Sequence, residues 1–504
     1  MSVQNYSSAP PQNEHQWRDR QRACLAETRA KIRDCKTLLE TLDAEREHLE
    51  DLLDTFTYPV ITTPVEIISL IFLQCLPANG RVQPSKRGAP LLLAQICQHW
   101  RDIALSIPQL WSSVDFTFIA NSYGPRRDWI LRVSQNYDGA SALLRAWFQR
   151  TQGLPLSITL RCAEERDGMP PGILPAIAEF SHQWGRLEIR LPLHDLPALD
   201  RIRGPFPLLN TLAIELSGMD GAVDDVPRLT AYRDAPQLRE VRLLNGMITA
   251  WADLPATLTS LEVERRIGIF EWTSIFKRFP CLLHLSTASN VYQRSPGPEI
   301  MAPAPLKSLI VRHGDMLPLL TLPHLLRLKC RPAGFLPFLS RSLCELKHLT
   351  LVINQSTDER SLLDCLRSVP SLEQLDIHRQ RNSHSFYEHL HSSELLPNLR
   401  DLSVLDPGYY YRYQPVIDML RARRDPHPER AQLRSFELAL NVRGNDWADD
   451  TSSPSGADAL QLQRLAAGGL QFRVHTQINN WPAGFDVGDE RGFPLKTYTV
   501  PYPN

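Results

Sequence analysis

Pro370-Ser371-Leu372-Glu373-Gln374-Leu375-Asp376-Ile377 and Pro397-Asn398-Leu399-Arg400-Asp401-Leu402-Ser403-Val404 spell one pattern 27 residues apart. The pattern is Pro-x-Leu-x-x-Leu-x-apolar. Earlier copies are Pro207-Leu209-Leu212-Ile214, Pro236-Leu238-Val241-Leu243 and Pro323-Leu325-Leu328-Cys330. Pro280-Leu282-Leu285-Thr287 is another, polar at its last place. Looser copies centre on Leu187, Leu261, Leu309, Leu349 and Phe436. Alternation at the last two apolar places predicts a short strand whose inward side chains meet a core, with the preceding leucine entering the same core. Proline suits the start of such a strand, where its missing N–H breaks no ladder bond.

From Leu187 to Leu402 the central residues recur every 19 to 29 residues, the spacing of leucine-rich repeats. Helix-like stretches such as 272–279 and 361–369 return the chain from one strand to the next. No such unit buries its apolar face alone, so neighbours must stack. The predicted fold class is therefore α/β: a coiled helix and a small helical unit, then a leucine-rich-repeat solenoid (a horseshoe) over 154–442. An ordinary α/β domain is the competing reading, and nine or more copies at similar spacing argue against it. The asparagine of the commonest repeat consensus is irregular here. Residues 444–457 read as a flexible break, and 443–504 as an irregular C-terminal cap containing the strand-like Leu470-Phe472-Val474.

Composition narrows the function classes. The chain has 504 residues and a formal net charge of -1, so it lacks the basic excess that a nucleic-acid partner requires. Residues 1–16 are polar, without the apolar segment of a signal peptide. No run of about 18 apolar residues predicts a membrane span. Nine dispersed cysteines without a C-x-x-C pair fit reduced thiols and an intracellular setting, cytoplasmic or nuclear.

Residues 1–16 are predicted to be disordered and 17–57 helical, with no proline or glycine from Trp17 to Phe56. A seven-residue frame places Leu25, Ile32, Leu39, Arg46 and Leu53 at one seam position, and Thr28, Cys35, Leu42, Leu49 and Phe56 at the other, a coiled-coil pattern. Arg18, Arg20, Arg22, Arg29, Lys31, Arg33 and Lys36 fill the first half. Glu40, Asp43, Glu45, Glu47, Glu50, Asp51 and Asp54 fill the second. An antiparallel self-pair matches these charges and a parallel one opposes them. The alternative is an amphipathic helix lying on its own chain.

The unit at 58–115 carries two apolar segments around a loop at 77–90. Thr63 suits an N-cap, Pro64 the first helical position and Glu66 the third place of a capping box. The helix that follows is apolar nearly all round, which predicts burial on more than one side. A helical connection, 116–153, leads to the repeats; Trp129, Ile130, Val133, Leu143, Leu144, Trp147 and Phe148 are its apolar residues.

Pro64-x-Glu66-Ile67, Ile71-Phe72, Ile96-Cys97-Gln98-His99-Trp100-Arg101 and Pro108-x-Leu110-Trp111 occur in the order of the F-box pattern. Together with the repeats, the chain resembles fungal-type F-box proteins with degenerate C-terminal leucine-rich repeats. Thr63 stands where the family has leucine, and 77–90 is longer than in a compact F-box. The resemblance implies a non-enzymatic substrate receptor of a Skp–cullin–F-box ubiquitin ligase. Pro64, Glu66, Ile67, Ile68, Leu70, Ile71, Phe72, Leu92, Ile96, Cys97 and Trp100 would bind the Skp adaptor and, through it, cullin. The solenoid would hold an unknown protein substrate. Two bland readings stand beside it: 62–111 as a cap sealing the first repeat, and the whole chain as an interaction scaffold oligomerised by its N-terminal helix.

No phosphate loop, H-E-x-x-H, EF-hand loop or G-x-S-x-G elbow occurs, and no cofactor is expected. His378, His384, His389 and His391 form the densest histidine group, but His389 and His391 lie two apart, on different faces of a helix, so no metal site is expected. Tyr409, Tyr410, Tyr411, Arg412 and Tyr413 follow a repeat strand directly. Such a loop is a candidate substrate-binding hot spot, since Tyr and Arg are enriched there; loop packing is the alternative.

Overall fold

The computed structural model describes residues 14–55, 63–118, 137–162, 168–217, 229–244, 253–264, 269–287, 300–301, 305–311, 314–353, 359–379, 385–391, 395–406, 411–428, 430–440, 454, 456–476, 487–488 and 494–499.

The repeats fold as one open α/β sheet. Among the described residues it has sixteen strands, the first fourteen of them parallel and adjacent in chain order. Its rungs pair the residues the periodicity singles out. Leu187 lies opposite Leu212, Leu212 opposite Val241, Leu375 opposite Leu402, and Leu402 opposite Phe436. The leucine three places earlier enters the same core, as Leu372 and Leu399 do beside Leu375 and Leu402. Ahead of each strand the rungs are also sewn together. The Glu373 carbonyl accepts from the backbone N–H groups of Arg400 (2.8 Å) and Asp401 (3.1 Å), and Lys347, Leu326 and Lys307 serve their successors in the same way. Such a ladder leaves few backbone groups unpaired in the buried seam.

The returning segments are unequal. Helices at Ile269–Arg278 and Glu359–Arg367 begin two or three residues before the predicted ones. Around residue 230 a single turn, Thr230–Tyr232, suffices. Amphipathic spacing sets the buried side: Leu362, Leu363, Cys365 and Leu366 face inward on Glu359–Arg367.

Both ends of the predicted solenoid need correcting. The sheet starts at Ser113–Phe118, inside what reads as the helical unit and its connection, and that strand pairs with Leu156–Cys162. Its Pro108-x-Leu110 lead stands one residue farther from the central Val114 than in the other copies, so the exact repeat spacing does not reveal it. At the other end Gln471–Thr476 is a full parallel rung, with Phe472 opposite Phe436, and not part of an irregular cap. The antiparallel strand Pro494–Thr499 follows it.

The first helix, α1, runs Glu14–Thr55, so residues 14–16 of the predicted tail at 1–16 are helical, and 1–13 lie outside the described residues. In the connection only Tyr137–Gln149 is described as helix, so Trp129, Ile130 and Val133 lie outside as well. Leu144, Trp147 and Phe148 are buried there.

Candidate docking site

Between α1 and the sheet lie three short helices: α2 (Val65–Gln74), α3 (Leu93–Ile96) and α4 (Gln98–Ser106). α2 and α3 both pack on α4. The first turn of α2 differs from the predicted capping box. The Pro64 carbonyl accepts from Ile67 N–H (3.0 Å) and Ile68 N–H (3.1 Å), so Pro64 is itself the cap. Glu66 then sits at the second helical place, too early to close a box.

α2 is also not buried on several sides. Ile68 and Phe72, one turn apart, are 1% and 0% exposed. The Phe72 ring meets Trp100 edge-on at 5.0 Å. On another face Ile67, Leu70, Ile71 and Gln74 follow at helical spacing, and the three apolar ones are 48%, 60% and 50% exposed. Leu92 and Ile96 add 42% and 55% from α3. Pro64 and Glu66 are exposed too.

The expected adaptor-binding residues thus divide. Ile68 and Phe72 are core, Trp100 is half-buried against Phe72, and Cys97 caps α4 by accepting from Trp100 N–H. Pro64, Glu66, Ile67, Leu70, Ile71, Leu92 and Ile96 remain at the surface. Val65, 46% exposed, belongs with them and was missed by the sequence pattern.

This unit is fastened to the sheet. The Trp111 indole donates to the Ala104 carbonyl (2.9 Å), and the Trp147 indole to the Ser113 carbonyl (3.2 Å). The two rings lie edge to face at 4.8 Å, with the Arg150 guanidinium 4.4 Å over Trp111. The 77–90 segment adds to the attachment. Asp115 N–H donates to the Val82 carbonyl (2.7 Å), the Ser113 hydroxyl to the Gly80 carbonyl (2.6 Å), and Arg81 pairs with Glu188 at 2.9 Å. Gly80 turns the chain with φ +68°, a conformation that favours glycine.

The tyrosine cluster is corrected toward its alternative. Tyr409 and Tyr410 lie outside the described residues. Tyr411 and Tyr413 are buried, packed edge to face at 5.2 Å, and Arg412 alone of the three is exposed. The Tyr411 and Tyr387 hydroxyls lie 2.7 Å apart, and Tyr387 donates to the Asp406 carboxylate (3.2 Å), with Arg379 3.6 Å away. Burial pushes the Asp406 carboxyl up to about 6, against the pull of Arg379 and both hydroxyls. Nearby, the fully buried Arg423 donates to the carbonyls of Leu390 (2.7 Å), Leu396 (3.0 Å) and Leu395.

The outward residues of the strands are a second surface that repeat periodicity alone did not single out. The signal was present: the residue after each central one faces away from the core. Thr159, Glu188, Ala213 and Arg242 form successive members of that row, of which Thr159, Glu188 and Ala213 are themselves buried and Arg242 partly exposed. Arg81, Arg186 and Arg242 converge on Glu188, Arg242 at 2.8 Å. Burial would raise the Glu188 carboxyl, but the hydrogen bond from Arg186 and the three cations hold it below its ordinary value.

Among the described residues no three His, Cys, Asp or Glu side chains come together as a metal site, and no helix is long and apolar enough to cross a membrane. Among the described residues, which include all nine cysteines, none forms a disulfide.

No family profile matches this chain, and no curated protein does. Among solved structures, the leucine-rich repeat-containing protein LegL7 from Legionella pneumophila is similar at 15% identity and a TM-score of 0.33, over 52% of this chain and 80% of that one. A chain of the Rad7 and Elc1 complex in yeast is similar at 13% identity and a TM-score of 0.26, over 55% and 84%. Both likenesses are too remote to bear on function. The solenoid assignment stands on the chain's own strand ladder.

Proposed function

We propose that this chain is a non-catalytic substrate receptor of a Skp–cullin–F-box ubiquitin ligase. The observation that carries the reading is the divided helix α2. One face is core, and the other leaves Ile67, Leu70 and Ile71 half-exposed, in the segment whose motifs resemble an F-box. Apolar side chains clustered in this way mark a surface that a partner covers. A Skp-type adaptor would cover it, and the outward row of the solenoid would hold the protein to be modified. The receptor makes no bond itself; it raises the effective concentration of its target beside a recruited conjugating enzyme.

Co-expression with a Skp adaptor tests this. A one-to-one complex on size exclusion is expected, abolished by Ile67→Asp with Ile71→Asp. A folded wild-type chain that forms no complex would refute the adaptor role and leave a leucine-rich scaffold whose 62–111 unit serves as a cap.

A further inference from the structure

The helix α1 presents its apolar seam to solvent from Leu25 to Leu49. Leu25, Ile32, Leu39, Leu42 and Leu49 are 51% to 62% exposed, so the alternative in which this seam lies on its own chain fails. At 1.5 Å per residue the 42-residue helix is about 63 Å long. Two copies paired antiparallel about residues 40 and 41 overlap over residues 26–55, about 45 Å, so a seam about 10 Å wide amounts to on the order of 900 Å² across two chains, the size of a weak, reversible interface.

We propose that the occupant is a second copy of this helix, antiparallel, about a two-fold axis between Glu40 and Thr41. That register stacks Leu39 on Leu42 of the second copy and Ile32 on Leu49, which are the strongest seam residues. Its charges also agree. Within the overlap Ala26 to Lys36 carries four bases and two acids, and the facing Glu45 to Thr55 one base and five acids, so reversal sets a positive stretch against a negative one. Beside the seam, Lys36 meets Asp43 and Arg29 meets Glu50, each twice by symmetry. A parallel pair would instead set Lys31 against Lys36 and Glu45 against Glu50. The weak seam residue Arg46 lies opposite Cys35 in the antiparallel register. Its guanidinium already reaches along its own helix to Glu50 (3.1 Å) and Asp43 (3.6 Å), so its stem is left to cover the neighbour.

Sedimentation of the full chain over a dilution series tests the pairing without any adaptor present, so its outcome is independent of the ligase reading. A dimer is expected, converted to monomer by Leu39→Asp with Leu42→Asp. Lys36→Glu alone should raise the dissociation constant about tenfold, because two attractive pairs become repulsive, and adding Asp43→Lys should restore it. In a parallel pair Lys36→Glu would face Lys31 and tighten the dimer. That tightening, a monomer up to about 100 μM, or a dimer indifferent to the leucine changes would each overturn the proposal. Circular dichroism of each variant checks that α1 remains helical.

Discussion

Phe72 and Ile71 are sequence neighbours on α2 that point to opposite fates, and replacing each by alanine should separate stability from binding. Phe72 is fully buried, with its ring 5.0 Å from Trp100; truncating a buried phenylalanine costs about 3–5 kcal/mol. Ile71 is 50% exposed. Burying a whole isoleucine is worth about 1.5–3 kcal/mol, and half of that is already realised in the free chain. Ile71→Ala should therefore change stability by less than about 1 kcal/mol. An adaptor that covers the remaining half would lose about 1 kcal/mol on the substitution, a fivefold to tenfold rise in Kd. Leu70→Ala, at the most exposed place of the stripe, should behave like Ile71→Ala. Urea denaturation of each variant, with calorimetric titration against a Skp adaptor, reads both quantities. If Ile71→Ala destabilised the chain as much as Phe72→Ala, the exposed face would be buried in the chain's own fold. If Ile71→Ala and Leu70→Ala left Kd unchanged while wild type bound, the docking surface would lie elsewhere.

Arg423→Met keeps most of the buried volume but takes a donor from three backbone carbonyls, of which that of Leu396 also accepts from Leu399 N–H (3.2 Å), so a loss of about 3–5 kcal/mol is expected; a urea midpoint shift worth under 1 kcal/mol would refute the role assigned to that guanidinium. Asp406 has a folded-state value of about 6 against an ordinary 3.8, so the folded chain holds that proton more tightly than the unfolded one. Its stabilising contribution is complete below pH about 4 and lost as pH rises through 6, about 3 kcal/mol in all. Denaturation of wild type and Asp406→Asn should then give stabilities whose difference drifts by that amount between pH 4 and 7, to the disadvantage of wild type. Parallel curves would show that burial does not govern this carboxyl.

Much of the fold was legible because its period is written in large residues. Leu212, Leu375 and Leu402 are central residues of their rungs, and chain-wise spacing alone finds them. Ser113–Phe118 alternates like a strand, but Leu110 stands four places before the central Val114 where the other copies have three, so only the sheet itself reveals the first rung. The docking helix failed differently. With apolar residues at nearly every place of 65–73, periodicity has no phase, and Ile68 cannot be told from Ile67 until Trp100 is seen packing on one side. The tyrosine cluster misled because a loop position suggests exposure. Tyr411 turns inward instead, where Asp406 and Tyr387 satisfy its hydroxyl.

The ties from Gly80, Arg81 and Val82 to the first and third rungs brace the small helices against the sheet at two points. In the proposed assembly this makes the solenoid a fixed lever on the adaptor. Whatever it grips is held at one bearing and one distance, and does not swing through a volume on a flexible tether. Lysines on the rigid body of a captured protein would then be used or ignored according to where they happen to point. A substrate with a mobile tail would supply for itself the searching motion that its receptor lacks.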